Sequence, residues 1–463
     1  YGGRKAGSEV SSRAPTNGKA SQKKSFPRPY PLAPLSTAST GFILTPKTLF
    51  VGEFPHAKCQ PVSELKVQSY SIAGLSRSLN ADEIREGSMN KRWIFRGHDS
   101  GNFLNLSEQL QIDPVVSQLL WARGICEPNA AKLFLESRFS DLRDPTSLPG
   151  IAVASQRIRL AVEKGEPITI YGDYDADGMC ATAILYNLLK LLRANVSYYV
   201  PNRLEDAYGL SCESINRLHT LGRKLIVTVD CGIGSIQEAA LCRQLGIDLI
   251  ITDHHACGAT LPEAVAIVHP NLPQTPSPFP GLCGAGVAFK LAWMICQDLA
   301  GARKVSDAHR DYLLSAMTLA TIGTVADVVP LIDENRILVR TALQFLLKSG
   351  PLGLRELCKV TKLDSKQAIS SEDIAFTIAP RLNAAGRLGQ AQLGVELLTT
   401  EDPERAIALA QYLDRLNSDR DSIERSILLA ATKQAKEQLE RSEEHTSELQ
   451  SRQYLVCRLL LEK

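Results

Sequence analysis

Three features that would narrow the function are absent from this sequence. The 11 cysteines form no C-x-x-C pair, and Cys242, Cys296 and Cys358 lie in apolar or helical stretches. Reduced, buried thiols therefore explain them better than a disulfide framework or a zinc site. The formal net charge is only +2, which identifies no partner, because a basic groove can lie on a nearly neutral chain. No apolar run is long enough to span a membrane and no charged-then-apolar leader is present, so we expect a cytoplasmic protein without a membrane segment.

Both ends of the chain differ from its middle. Residues 1–88 are rich in Ser, Pro, Gly and Lys without a helical or strand period, which is typical of a disordered or upstream non-native extension. Met89 is a natural start, because organised sequence begins there. Residues 441–463 look like the translation of a sequencing-library adapter, so we interpret them as an artefact and the gene as cut short there.

The middle of the chain divides into four parts. Residues 89–150 carry apolar side chains at helical spacing, which predicts an N-terminal helical subdomain. In residues 151–345 apolar runs alternate with helical segments, which predicts an α/β domain with a doubly wound, mostly parallel sheet. We expect residues 346–402 to be helical and residues 403–440 to form a long connector helix with a solvated charged face. The predicted strands are 168–171, 196–200, 225–229 and 249–252, with helices at 181–192 and 236–245 among them.

Acidic and histidine residues follow three of the predicted strands. In an open α/β sheet the carboxyl ends of the strands line the crevice in which ligands bind. Crowded carboxylates repel each other unless cations neutralise them, and oxygen and imidazole ligands without thiolate favour Mn²⁺ or Mg²⁺. Two such ions could clamp a phosphate and activate a water molecule, so the pattern predicts phosphoryl hydrolysis. The residues concerned are Asp173, Asp175, Asp177, Asp230, His254 and His255.

Each part of this pattern has a less specific explanation. The D-x-D-x-D-G motif at residues 173–178 also occurs in calcium loops, but no closing Glu follows here. A lone His-His pair is more often structural than a ligand, and Asp230 alone could cap a turn before Gly232. The common placement after three strands favours a site.

Five blocks of sequence resemble the DHH phosphoesterase superfamily, whose name is the Asp-His-His found here at residues 253–255. The similarity extends from Met89 to about residue 440. The last two blocks distinguish the single-stranded-DNA-specific exonucleases of the superfamily from smaller members that hydrolyse pyrophosphate, short oligonucleotides or cyclic dinucleotides. The blocks are residues 172–178, 229–233, 252–255, 323–331 and 381–387.

The resemblance implies roles for individual residues. It implies a metal-dependent exonuclease that degrades single-stranded DNA in the 5′ to 3′ direction during repair and recombination, with a single-stranded-DNA-binding protein and a helicase as further partners. Asp230 would bridge two ions, and Asp173 would be an additional ligand. His255 would lie beside the scissile phosphate, and His269 would lie behind the ligands. The implied metal ligands are Asp175, Asp177, Asp230, His254 and Asp327, and the implied substrate contacts are Arg203, Arg381, Asn383 and Arg387.

Two departures from the family pattern stand out. Ala207 replaces a Gly that the family more often has, which affects only local loop geometry. The Gly-Gly-His motif and the OB-like module of the nucleases are absent from this sequence. Three alternatives therefore stay open, namely a phosphodiesterase acting on short oligonucleotides or cyclic dinucleotides, a non-catalytic scaffold with this fold, and an inactive truncated product.

Overall fold

The computed structural model describes the backbone of residues 100–203 and 209–441. The predictions made for residues 1–88 and 442–463, and for the loop containing Ala207, fall outside these described residues. The structure tests neither the predicted domain boundaries nor the predicted artefact.

A five-stranded parallel sheet forms the centre of the described region. Its strand order is β2-β1-β3-β4-β5, and every neighbouring pair is parallel. The predicted α/β fold with a mostly parallel sheet is confirmed. The last strand was not predicted, because three residues are too short to show a period. The strands are β1 Ile168–Tyr171, β2 Val196–Tyr199, β3 Leu225–Val229, β4 Asp248–Thr252 and β5 Ala266–Val268.

The helices connect and cover these strands. Parallel neighbours need crossover connections, and α5, α6 and α7 lie between the first four strands, whereas residues 253–265 join β4 to β5 without a helix. A π-helical turn, Ile374–Ile378, leads directly into α14. The helices are α1 Ser100–Leu110, α2 Pro114–Ala122, α3 Pro128–Glu136, α4 Ile151–Glu163, α5 Ala176–Leu191, α6 Cys212–Thr220, α7 Ile236–Gln244, α8 Gly284–Ala300, α9 Asp307–Ala326, α10 Asp333–Ala342, α11 Leu346–Ser349, α12 Leu352–Val360, α13 Ser371–Asp373, α14 Ala379–Arg387, α15 Ala391–Thr399 and α16 Pro403–Arg441.

Both faces of the sheet are buried, as a doubly wound fold requires. On one face, Ile170 and Val227 pack with side chains of α5, α8 and α9 in the main apolar core. On the other face, Ile226 and Ile251 pack with α6 and α7 in a smaller core. Alternate residues of β1, β3 and β4 supply the two cores, so all three strands are fixed with their carboxyl ends at one edge.

The predicted N-terminal helices form a small cluster of their own around Leu106, Leu120 and Ala131. Arg336 and Arg340 of α10 donate hydrogen bonds to the carbonyls of Phe134 and Leu135, which attaches α3 to the main body. Among the described residues, no helix is both long and apolar enough to cross a membrane.

Candidate metal centre

The carboxyl ends of the strands bring the predicted acidic residues together. Asp173 follows β1, Asp177 lies in the first turn of α5 and Asp230 follows β3, and each is no more than 2% exposed. Asp230 adopts a left-handed backbone conformation with φ of 61°. Such a conformation is unfavourable for a non-glycine residue, and residues of this kind cluster at functional sites. The fold therefore buries three carboxylates at one edge of the sheet.

His254 lies at the centre of this group. Its Nε2 is 3.0 Å from Asp230 Oδ1, 3.7 Å from Asp327 Oδ2 and 3.9 Å from Asp177 Oδ2. Asp327 arrives from a different part of the chain, because it is the C-terminal cap of α9. One imidazole nitrogen thus faces three carboxylates from separate elements.

Burial and mutual repulsion disfavour the charged forms of these groups. Burial and the neighbouring Asp175 raise the pKa of Asp173 to about 7. Burial, Asp175 and Asp327 likewise raise the pKa of Asp177 to about 7. Burial and Asp177 raise the pKa of Asp230 well above its ordinary value. Burial and the neighbouring His255 lower the pKa of His254 to about 4, so His254 is neutral at physiological pH and does not compensate the carboxylates.

The polar atoms of the group lack donors. Asp173 Oδ1, Asp230 Oδ1 and His254 Nε2 are buried and have no hydrogen-bond partner within the described part of the chain. Carboxylate oxygens and an imidazole nitrogen that face each other in a buried site are costly unless a proton or a cation lies between them. The chemistry of this donor set fits divalent cations that prefer oxygen and imidazole, such as Mn²⁺ and Mg²⁺.

The ligand atoms form three overlapping sets, and the atoms within each set lie within 4.8 Å of one another. Asp230 belongs to two of these sets, as does His254. Shared residues of this kind would suit two adjacent ions. The sets are Asp173, Asp175 and Asp230; Asp177, His254 and Asp327; and Asp230, His254 and His255.

The N-terminus of α8 holds one of these carboxylates. The backbone N–H groups of Gly284 and Ala285 donate to Asp177 at 2.7 and 3.0 Å. The positive end of the helix dipole favours this negative charge. A Cβ on Gly284 would lie 2.5 Å from Asp230 Oδ1, and a Cβ on Gly323 would collide with Asp177. Gly284, the first glycine of the Gly-Ala-Gly at residues 284–286, therefore makes room for the site.

His255 is oriented by the first residue of the Asp-His-His motif. Asp253 Oδ1 lies 2.7 Å from His255 Nδ1, and the other oxygen of Asp253 accepts from the backbone N–H of Ile233. The hydrogen bond with Asp253 raises the pKa of His255 to about 9. His269 lies behind the site, where its Nε2 is 2.8 Å from the carbonyl oxygen of His255. His254 and His255 therefore differ in charge although they are neighbours in sequence.

An arginine-lined pocket adjoins the acidic group. Arg203 lies 5.0 Å from the ring centre of Tyr174, so the arginine rests on the aromatic face. Asn383 Oδ1 accepts from the backbone N–H of Ala176 at 2.8 Å, which fastens the start of α5. The pocket is lined by Asp173, Tyr174, Asp175, Arg203, Asn383 and Arg387.

Arg381 occupies a different environment from Arg387, although one motif contains both. Its Nε donates to Asp414 of α16 at 2.8 Å, and a terminal nitrogen donates to the carbonyl of Thr377. These contacts join α14 to α16. The predicted DNA contact of Arg381 stays a prediction, while Arg203, Asn383 and Arg387 share the pocket.

Comparisons with known proteins agree with this geometry. The family model described as the DHH family, N-terminal domain, matches residues 167–321. The chain is 42% identical over 332 residues to the single-stranded-DNA-specific exonuclease RecJ of Bacillus subtilis, which covers 72% of this chain and 40% of that protein. The chain therefore spans less than half of the length of that relative.

Two solved structures are similar in both sequence and fold. One is an exonuclease RecJ bound to manganese, with 37% identity and a TM-score of 0.54, covering 62% of this chain and 70% of that one. The other is RecJ from Thermus thermophilus in complex with Mn²⁺, with 33% identity and a TM-score of 0.60, covering 72% of this chain and 46% of that one.

Proposed function

The chain belongs to the RecJ family, and from this we propose that it is a metal-dependent exonuclease that hydrolyses phosphodiester bonds of single-stranded DNA. The observation that carries the proposal is the group of buried carboxylate and imidazole acceptors without donors beside an arginine-lined pocket. A 5′ to 3′ direction and a role in DNA repair and recombination follow the family resemblance. Metal ligation and phosphate binding are the two requirements of such an enzyme, and neighbouring residues meet both.

We assign the metal-binding role to Asp175, Asp177, Asp230, His254 and Asp327, with Asp173 as an additional ligand. Two bound Mn²⁺ or Mg²⁺ ions would supply Lewis acidity at the phosphate and lower the pKa of a water molecule. The protein contributes the fixed positions of these side chains. The amides of α8 hold Asp177, and the left-handed backbone at Asp230 aims its carboxylate at His254.

His255 supplies a positive charge at the edge of the metal group. The hydrogen bond with Asp253 fixes the ring and favours the imidazolium form. An imidazolium near the scissile phosphate would stabilise the negative charge that develops there. Replacement of Asp253 would therefore impair the positioning of His255 without removing a metal ligand.

Within the pocket, Arg203 and Arg387 bind the single-stranded DNA. Guanidinium groups match the geometry of phosphate oxygens, and the ring of Tyr174 supports Arg203 in this position. A helicase and a single-stranded-DNA-binding protein are proposed partners, because both act where single strands are exposed. A cytoplasmic location is part of the same proposal.

The direct test measures nucleotide release from a 5′-labelled oligothymidylate by the 463-residue chain, with Mn²⁺, with Mg²⁺ and with EDTA. The matched control is Asp230→Asn, which keeps the shape and removes the charge. We expect release only with metal, and a loss on the order of 10³-fold in the control, since metal catalysis supplies several kcal/mol. Binding of Mn²⁺, followed by its electron paramagnetic resonance signal, checks that the loss reflects the metal centre.

Two outcomes would overturn the proposal. Hydrolysis of short oligonucleotides or cyclic dinucleotides, with none of long single strands, would assign the chain to the small-substrate phosphodiesterases. Mn²⁺ binding without hydrolysis of any of these substrates would favour the scaffold or the inactive truncated product.

A further inference from the structure

One face of α16 carries polar side chains toward the arginine-lined pocket. Asp414, Asn417 and Arg420 follow one another at three-residue spacing, so they lie along one side of the helix. Asp414 pairs with Arg381 of α14, which shows that this side of α16 faces α14. The sequence alone predicted only a solvated charged face for this helix.

Two polar atoms on this face are buried without a partner. Arg420 Nε and Asn417 Oδ1 are shielded from solvent, and neither has a hydrogen-bond partner among the described residues. Asn417 as a whole is only 8% exposed. A terminal nitrogen of Arg420 donates to Asp421 at 2.5 Å, which leaves its Nε unsatisfied. An unsatisfied buried group needs an explanation, and an ion that completes its hydrogen bonds is one of them.

The guanidinium groups beside this face repel each other. Burial lowers the pKa of Arg387, and the charges of Arg203 and Arg420 lower it further, while Glu424 offsets part of this effect. Neither Arg203 nor Arg387 forms an ion pair with a carboxylate within the part of the chain that the structure describes. Three arginines from three elements thus contribute like charges to the surroundings of Arg387. An anion at this place would remove the repulsion.

We propose that Arg420 of α16 binds a backbone phosphate of the single strand, next to the pocket of Arg203 and Arg387. The guanidinium offers donors in a planar fork that fits a phosphate, and Asn417 lies one turn away, where its Oδ1 can accept from a base N–H. The helix α16 is then one wall of the substrate groove as well as a connector. This inference rests on the proposed nuclease function.

The test compares Arg420→Gln with Arg425→Gln in the 463-residue chain. Both changes remove one positive charge from α16, but Arg425 is exposed and lies more than one helical turn beyond Arg420. Binding of a fluorescent 12-residue oligothymidylate in EDTA is measured by anisotropy at several NaCl concentrations. Each phosphate contact on a single strand contributes about 0.7 to the slope of log affinity against log salt. We expect about tenfold weaker binding and a slope smaller by about 0.7 for Arg420→Gln, and less than a twofold change for Arg425→Gln.

Arg420→Lys separates a phosphate contact from a structural role. This variant keeps the positive charge but loses the planar guanidinium, so it should retain the salt slope while binding the oligonucleotide a few-fold more weakly. It is also the variant to measure if Arg420→Gln does not fold. The inference would be overturned if Arg420→Gln and Arg425→Gln bind equally well with equal slopes. If Arg420→Gln does not fold, an unchanged affinity in Arg420→Lys would overturn it instead. Either outcome would leave the nuclease function intact. If the unaltered chain binds no single strand and releases no nucleotide, the proposed function and this inference both fail.

Discussion

Two buried groups of charged side chains in the described part of the protein are built in opposite ways. At the carboxyl ends of the strands, Asp177, Asp230 and Asp327 surround a neutral His254, so these three acidic groups meet without a positive charge among them. Between α8 and α10, charges of opposite sign meet instead. The first arrangement lowers the stability of the fold unless a bound cation balances its charge.

In the second group the charges are paired with one another. Lys290 is fully buried, and its Nζ is 2.5 Å from Glu334 Oε2 and donates to the carbonyl of Arg143 at 2.6 Å. Arg143 in turn binds Asp333 through both terminal nitrogens. Every charge has a partner of opposite sign. This group ties α8, whose first turn holds Asp177, to α10, which follows the loop carrying Asp327.

Breaking the balanced group should have the largest effect on stability. Lys290→Met leaves Glu334 buried without its cation, and loss of one partner from a buried ion pair typically costs about 3 to 5 kcal/mol. We expect the free energy of unfolding, measured by urea denaturation, to fall by about this amount. The double variant Lys290→Met with Glu334→Gln should recover a large part of the loss. If adding Glu334→Gln lowers the free energy of unfolding by as much again as Lys290→Met alone, the ion pair is not the source of the effect.

The unbalanced group should respond to pH in the metal-free protein. The carboxyl groups of Asp173 and Asp177 have pKa values raised to about 7, and that of Asp327 is raised to about 6. An acid with a raised folded-state pKa binds its proton more tightly when folded, so stability is lost as pH rises from the unfolded-state value through the folded-state value. We expect unfolding in EDTA to require at least about 1 kcal/mol less at pH 8 than at pH 5.5.

Metal should reverse this dependence. Divalent ions bind the ionised carboxylates and stabilise the folded state by mass action, so added Mn²⁺ should raise the unfolding midpoint more at pH 8 than at pH 5.5. The Asp230→Asn variant, with one charge fewer, should show a weaker pH dependence in EDTA. A metal-free protein that becomes more stable as pH rises from 5.5 to 8 would contradict the view that these carboxylates repel one another.

The two groups also differ in how far the sequence predicted them. The residues of the metal group follow recognisable strands, so the strand pattern alone was enough to place Asp173, Asp177, Asp230 and His254 at one edge of the sheet. Asp327 could not be placed this way, because it follows a helix and its position depends on how α9 packs. Its assignment as a ligand came from the family resemblance alone.

Long-range packing also explains what the sequence did not predict. The contact of the α8 amides with Asp177 joins residues more than 100 positions apart, and no local pattern indicates such a pair. The contacts of Arg420 could not be predicted either, because its helix is amphipathic over only part of its length and the charges of the helix suit a solvated surface. Lys290 lies in an apolar helix, where a lysine gives no sign of its distant partner Glu334. The fold class followed from period and alternation, whereas these contacts depend on tertiary structure.

The smallest expected effect concerns the residue after Asp327. Val328 has φ of 59° and is 85% exposed, so a β-branched side chain adopts the left-handed conformation at the end of α9 with little burial to offset the strain. Glycine is favoured at this position, and relief of the strain should outweigh the greater freedom of glycine in the unfolded chain. We expect Val328→Gly to raise the free energy of unfolding by about 0.5 to 1 kcal/mol, measured by urea denaturation in EDTA, whereas Val153→Gly, at an exposed site within α4, should lower it. A loss of stability in Val328→Gly would mean that the valine contributes contacts outweighing its strain. A gain in stability would show that backbone strain is stored beside the metal ligands, as electrostatic repulsion is stored among their carboxylates.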